Sequence, residues 1–220
     1  MKIIFLTSLL WIVLSLGALA QEIFIKTGIN STIYDFKSSA GLSLLKFTPG
    51  MGSTFEMGMG FPLLNKSISD RLNDFGGVYS PSWLKNEVSL GIDSYNSYAG
   101  DQNNNYSWET TYGGIHNTLS FLVHFGEVEL GLRGQVGASK MISGTQVINT
   151  SRFSLNDHED FSGIFLKAGG GASASYPVFQ RGFLNLSYLY SKSTRMKGPA
   201  DERLSFFTHS ILFGLYVQLK

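Results

Sequence analysis

The sequence predicts an all-β chain, closed as an eight-stranded antiparallel up-and-down transmembrane β-barrel. Three observations predict it: side chains that alternate in character with period two in segment after segment, little charge beside many aromatics, and connections that run short and long in turn. Successive strand residues point to opposite faces. In "FGEVELGLRGQVGASK", residues 125–140, that rule puts Val128, Leu130, Leu132, Val136 and Ala138 on one face. Glu129, Gly131, Arg133, Gln135, Gly137 and Ser139 take the other.

The remaining segments repeat the pattern. The first is "EIFIKTGINSTIY", followed by "TFEMGMGF", where Phe55, Met57, Met59 and Phe61 oppose Glu56, Gly58 and Gly60. "LKNEVSLGID" sets Leu84, Val88, Leu90 and Ile92 against Lys85, Glu87, Ser89, Gly91 and Asp93. In "IHNTLSFLVHF", Ile115, Leu119, Phe121, Val123 and Phe125 share a parity that Asn117 interrupts, with Leu122 on the opposite face. "GIFLKAGGGASASY" alternates through Ile164, Leu166, Ala168, Ala172, Ala174 and Tyr176, and "FLNLSYLY" through Leu184, Leu186, Tyr188 and Tyr190. "FTHSILFGLYVQL" closes the series with Phe207, Ile211, Phe213, Leu215, Val217 and Leu219. Eight strands of this kind argue an all-β chain.

The chain opens with "MKIIFLTSLLWIVLSLGALAQ", a lysine, an apolar run and then Ala18-Leu19-Ala20, which is the anatomy of a signal peptide over 1–20. The barrel domain is then expected over 21–220. The leader is short for a membrane-spanning helix, and no cysteine is present for lipidation or a disulfide framework. Seventeen basic and sixteen acidic residues give no electrostatic footprint for nucleic acid. Charged residues make up 15% and aromatics 14%, a composition poorly suited to a water-facing surface.

Connections at Gly126 and at "YPVFQRGF" are tight, whereas those around residue 102, over 143–162 and over 191–204 are longer and polar. Short turns at one rim and long loops at the other are the arrangement of an outer-membrane barrel. The connection from Pro62 to Pro81 breaks the rule by its length. Its Ile68, Leu72 and Phe75, with Gly76 as a stop, predict a short helix or cap.

With the apolar parity toward lipid, the other parity fills a narrow lumen. Glu56, Lys85, Glu87, Asp93, Glu129, Arg133 and Lys167 fall on that inner parity. Buried charges must be paired, so Glu56, Glu87, Glu129, Arg133 and Lys167 are expected in an internal ion-pair network. Solvation of some of them at the rims is the alternative. A soluble lipocalin-type barrel would turn the faces round, leaving glycine, serine and threonine as a poor water-facing surface. Trp83, Tyr95, Tyr98, Trp108, Tyr112, Tyr176, Tyr188 and Tyr190 lie near strand ends and are expected to form interfacial girdles.

"FGLYVQL", with Gly214, Val217 and Leu219, has the spacing of a C-terminal barrel-insertion signal, although the chain ends on Lys220. With "ALAQ", "IKTGIN", "GMGFPL" and "YSWETTYGGI", it resembles small outer-membrane barrel proteins of PorT-like or OmpX-like type. The resemblance implies an outer-membrane location and assembly by the barrel-insertion machinery. Outer-membrane lipid and lipopolysaccharide are the expected partners, with a periplasmic partner at residues 62–82.

Chemistry finds little purchase in these residues. His209 and Ser210 are adjacent and point to opposite faces, and His116 and Thr118 lie on the lumen face, away from lipid. No catalytic residue is therefore expected. "NDHED", residues 156–160, lacks the spacing and turn glycine of a calcium loop. "GGGAS", residues 169–173, sits in a strand with no helix after it, so no phosphate loop is expected. No metal or cofactor is assigned. The expected function is structural or interactive, with a narrow small-solute channel as the alternative and a lipid-modifying enzyme as the more remote one.

Overall fold

Nine strands make up the computed structural model, which describes residues 22–37, 48–63, 83–100, 105–156, 161, 163–196 and 203–219. They are β1 (Glu22–Lys37), β2 (Thr48–Pro62), β3 (Trp83–Gly100), β4 (Asn105–Phe125) and β5 (Val128–Ile148). After these come β6 (Ser151–Ser154), β7 (Ile164–Phe179), β8 (Gly182–Arg195) and β9 (Arg203–Gln218). All pairings are antiparallel between sequence neighbours except that β6 hangs on β5 alone, β5 also pairs β7, and β1 pairs β9. The β1–β9 ladder, with that between β4 and β5, closes eight strands into a ring. The signal-peptide segment, the predicted cap at 64–82 and residues 157–160 of the acidic stretch lie outside the described residues.

The register fixes the size of the ring. Carried from Ile25 through Met57, Leu90, Ile115, Ala138, Leu166 and Thr194, it arrives at Ser205. β1 pairs Ile25 instead with Leu215, ten residues away along β9. An eight-stranded ring with that stagger tilts its strands by about 41° and has a backbone radius of about 8 Å, from standard strand spacings. About ten residues of each strand then cross the apolar layer of a membrane.

The two tight connections stand where the sequence predicts them, whereas the expected longer connection around residue 102 is reduced to the four positions between β3 and β4. β4 turns into β5 through two residues, where Gly126 takes a φ of 61°, and β7 turns into β8 equally tightly. Both turns lie at the end where β1 begins and β9 finishes. Strands run further toward the opposite, loop end than the sequence pattern indicates. The expected loop over 143–162 contains a hairpin of β5 and β6, turned at Asn149 with φ 55° and Thr150. Asparagine tolerates that left-handed backbone, as a two-residue hairpin turn requires. Likewise β8 reaches Arg195 inside the expected loop over 191–204.

The outside of the barrel is apolar over the predicted parity. Leu132 is 69% exposed and Phe213 63%, and Ile25, Met57, Leu90, Ile115, Leu166 and Leu186 are exposed with them. Apolar side chains around the circumference, small along the middle of β7 and large elsewhere, over a lumen of charged and hydroxyl residues, are the exterior of a lipid-spanning barrel.

Candidate functional site

The lumen holds two layers, and each follows from what the neighbouring residues along its strand do. In the first layer the chain neighbours point outward and are apolar: Lys26 follows Ile25, Glu56 sits between Phe55 and Met57, His116 follows Ile115, and Arg133 follows Leu132. This layer is therefore level with the apolar belt. With no water to solvate them, its charges meet one another.

Glu87 is the hub. It accepts from Lys26 Nζ at 2.7 Å, from the Tyr216 hydroxyl at 3.0 Å and from Arg133, and Lys85 lies 3.4 Å away. Lys85 also pairs with Glu22 near the turn end. Toward the loop end, Glu56 lies 4.0 Å from Lys26 and 3.1 Å from His116 Nδ1, while Gln135 Nε2 donates to it at 3.4 Å. His116 Nε2 stands 3.8 Å from Asp93, which Lys167 Nζ reaches at 3.3 Å. Glu22, Glu56, Glu87 and Asp93 thus face Lys26, Lys85, Arg133 and Lys167, four acids to four bases, with His116 between Glu56 and Asp93.

Small residues on the opposite wall make room for this network. Apart from Lys167, the inward side chains of the membrane-level parts of β7, β8 and β9 are mostly short, among them Ser173, Ser175, Ser187, Ser191, Thr208 and Ser210. Long charged side chains from β1 to β5 reach across into that space. At Gly171 a Cβ would overlap the Tyr188 carbonyl oxygen, so β7 and β8 approach there as only glycine allows. A gap of about 10 Å³ between Glu56, Arg133, Gln135, Ser187 and Leu212 has room for roughly one water.

Above this layer the polarity of the strands turns over. On β3 the outward residues change from Leu90 and Ile92 to Ser94 and Asn96, while the inward ones change from Ser89 and Asp93 to Tyr95 and Ala99. β4 does the same, with Thr111 and Glu109 outward and Tyr112 and Trp108 inward. The inward residues form a buried core of Tyr34, Tyr95, Trp108, Tyr112, Phe165 and Phe206, joined by Met141, Leu155, Phe161 and Leu204. Phe206 is wholly buried, with ring centroids 4.9 Å from Tyr95 and 5.2 Å from Tyr34. The Tyr34 hydroxyl bonds Thr110 Oγ1 at 2.5 Å.

This reversal corrects the expected girdles. Tyr95, Trp108 and Tyr112 pack inside the barrel, because beyond the apolar belt water lies outside and the apolar side chains turn inward. Tyr98, Tyr176, Tyr188 and Tyr190 do face outward. Trp83 begins β3 near the turn end. Of the predicted lumen charges, Glu56, Glu87, Arg133 and Lys167 are buried in the network, as are Lys85 and Asp93. Glu129, on the same inner parity, is half-buried beside the β4–β5 turn and acts on Lys85 electrostatically. Lys26, Glu22, His116 and Tyr216 complete the network and were missing from the expected set. The signal for Lys26 was its parity with Phe24 between exposed isoleucines, and for Tyr216 its place between Leu215 and Val217.

Replacing Arg133 by leucine leaves Glu87 with Lys26, Lys85 and Tyr216 but removes one of the four balancing cations. A buried excess of negative charge is costly. The expected outcome is a lowered urea midpoint for the refolded barrel, and an unchanged midpoint would place Arg133 in water.

No protein-family model matches the chain, and no curated protein matches it. Among solved structures it is similar to Neisserial surface protein A, at 12% identity over 90% of this chain and 97% of that chain, with a TM-score of 0.45. It is also similar to the outer membrane protein OprG from Pseudomonas aeruginosa, at 11% identity over 90% and 97% of the two chains, with a TM-score of 0.44. Ail, the attachment invasion locus protein of Yersinia pestis, aligns at 14% identity over 89% and 99%, with a TM-score of 0.38. At these identities none of them lends a function to this chain.

Proposed function

We propose that the chain is an outer-membrane barrel protein with a sealed lumen, acting through its outer surface and loop end as a structural or interaction protein. One observation carries the reading: the ion-pair layer at the level of the apolar belt is capped by an aromatic core above it. A solute crossing the barrel would have to break both. The outer membrane is the location because a closed barrel with an apolar exterior satisfies all its backbone groups in lipid, and such barrels belong to that type of membrane. Placement within the PorT-like or OmpX-like type rests on the short stretches of sequence that resemble it.

On this reading the partners are outer-membrane lipid and lipopolysaccharide, the assembly machinery during biogenesis, and a periplasmic protein at residues 62–82. On this reading the chain acts without catalysis: His209 and Ser210, adjacent on β9, face opposite sides of the barrel wall.

Single-channel recording of the refolded mature chain in a planar bilayer tests the reading, with heat-modifiable gel migration reporting insertion. The expected result is an inserted and silent protein. Stable conductance steps would overturn the sealed lumen and establish the small-solute channel.

A further inference from the structure

One cluster of side chains at the loop-end boundary of the apolar belt plays no part in the lumen. On the outer face of β8 and β9, Tyr188, Tyr190, Lys192, Phe207 and His209 stand together, with Lys192 opposite Phe207 and Tyr190 opposite His209. The Tyr188 hydroxyl bonds His209 Nδ1 at 2.7 Å, and the His209 ring lies 4.8 Å from that of Tyr190. Tyr190 stacks on Phe207 at 6.2 Å and 11°, and Lys192 Nζ lies 4.9 Å from the Phe207 ring centroid. Two basic side chains are thus held on one aromatic ladder.

Among the described residues, no acid stands across the ladders from them. The cross-strand neighbours of Lys192 are Ala168 and Phe207, and those of His209 are Tyr190 and Ser31. The cluster also lies where outward residues pass from Leu186 and Tyr188 to Thr194 on β8. That is the depth of lipid headgroups, where aromatic and basic side chains meet phosphate. The contact with Tyr188 engages Nδ1 of His209, so a phosphate would meet the ring at Nε2.

Below the cluster the surface is shaped for a chain. The outward residues of β7 are Ala168, Gly170, Ala172 and Ala174, beside Gly134 on β5, over which a Cβ would meet nothing within 4 Å. This trough runs between Leu132 and Val136 on one side and Tyr188 and Tyr190 on the other. It opens at Ala174, Leu186 and Phe213 into a depression of about 340 Å³.

We propose that this face binds a phosphate-bearing membrane lipid, its phosphate held by Lys192 and His209 and an acyl chain laid along the β7 trough. The inference rests on the reading of the belt as lipid-facing. Charge complementarity selects the occupant: two basic side chains suit a phosphate, whereas a second copy packed two-fold on this ladder would add two more bases to them.

Native mass spectrometry of the refolded mature barrel, released from bilayer discs of phosphatidylcholine and phosphatidylglycerol in equal parts, tests it. The wild type is expected to retain phosphatidylglycerol. Lys192→Gln with His209→Gln is expected to cut that retention about fivefold to tenfold, while Lys140→Gln, an outward lysine on β5, leaves it unchanged. Retention equal in the double variant and the wild type, equal loss in Lys140→Gln, or release as a lipid-free dimer overturns the site. Heat-modifiable migration separates the two levels: a wild type that never inserts overturns the lipid-facing belt itself. A wild type that inserts without preference for phosphatidylglycerol overturns the site alone.

Discussion

Replacing Glu87 by leucine is expected to cost the barrel about 3–5 kcal/mol, the range for removing one partner of a buried ion pair. The carboxylate is the point where Lys26, Lys85, Arg133 and the Tyr216 hydroxyl converge, so its loss leaves three cations without their shared carboxylate, Lys26 falling back on Glu56 and Lys85 on Glu22. Urea titration followed by heat-modifiable migration measures the effect. Adding Arg133→Leu to Glu87→Leu removes one of those cations and is expected to recover part of the loss. A midpoint that Glu87→Leu leaves in place would mean that water reaches the network.

Phe213→Arg is the second large effect, expected to hinder insertion by about 2–4 kcal/mol. Phe213 is 63% exposed on the outer face of β9 and pairs with Thr27 and Leu186, half-way between the turn end and Lys192. That depth leaves an arginine farthest from either headgroup layer. Leu130→Arg, close to the β4–β5 turn, is expected to cost less, because the longer side chain reaches the interface. Folding yields into vesicles, read on the same gels, give the comparison. Equal yields for Phe213→Arg and the wild type would put water against this face and revive a soluble barrel with inverted faces.

These variants also show what residue order could and could not disclose. At membrane level the alternation in β3, Leu84 to Asp93, is unambiguous, and so is the side on which Glu56, Glu87, Arg133 and Lys167 belong. Which cation meets which carboxylate was beyond reach, because those partners sit on strands far apart in sequence, as with Tyr216 and Glu87. Lys26 was legible by its parity with Phe24, yet nothing near it in sequence points to Glu87. The loop-end cluster of Tyr188, Lys192 and His209 depends in the same way on the pairing of β8 with β9.

Sequence by itself determined the fold class, the facing of the membrane-level residues and the two tight turns, because each of these is a local property of the chain. Tertiary structure alone decided the extent of the strands and the placing of Tyr95, Trp108 and Tyr112. Past the boundary of the apolar belt the outer medium becomes water, so the same alternation carries polar residues outward and aromatics inward. Read along the chain, those polar outward residues look like loops. Only closure of the ring shows that they continue the strands and that the rings beneath them are a core.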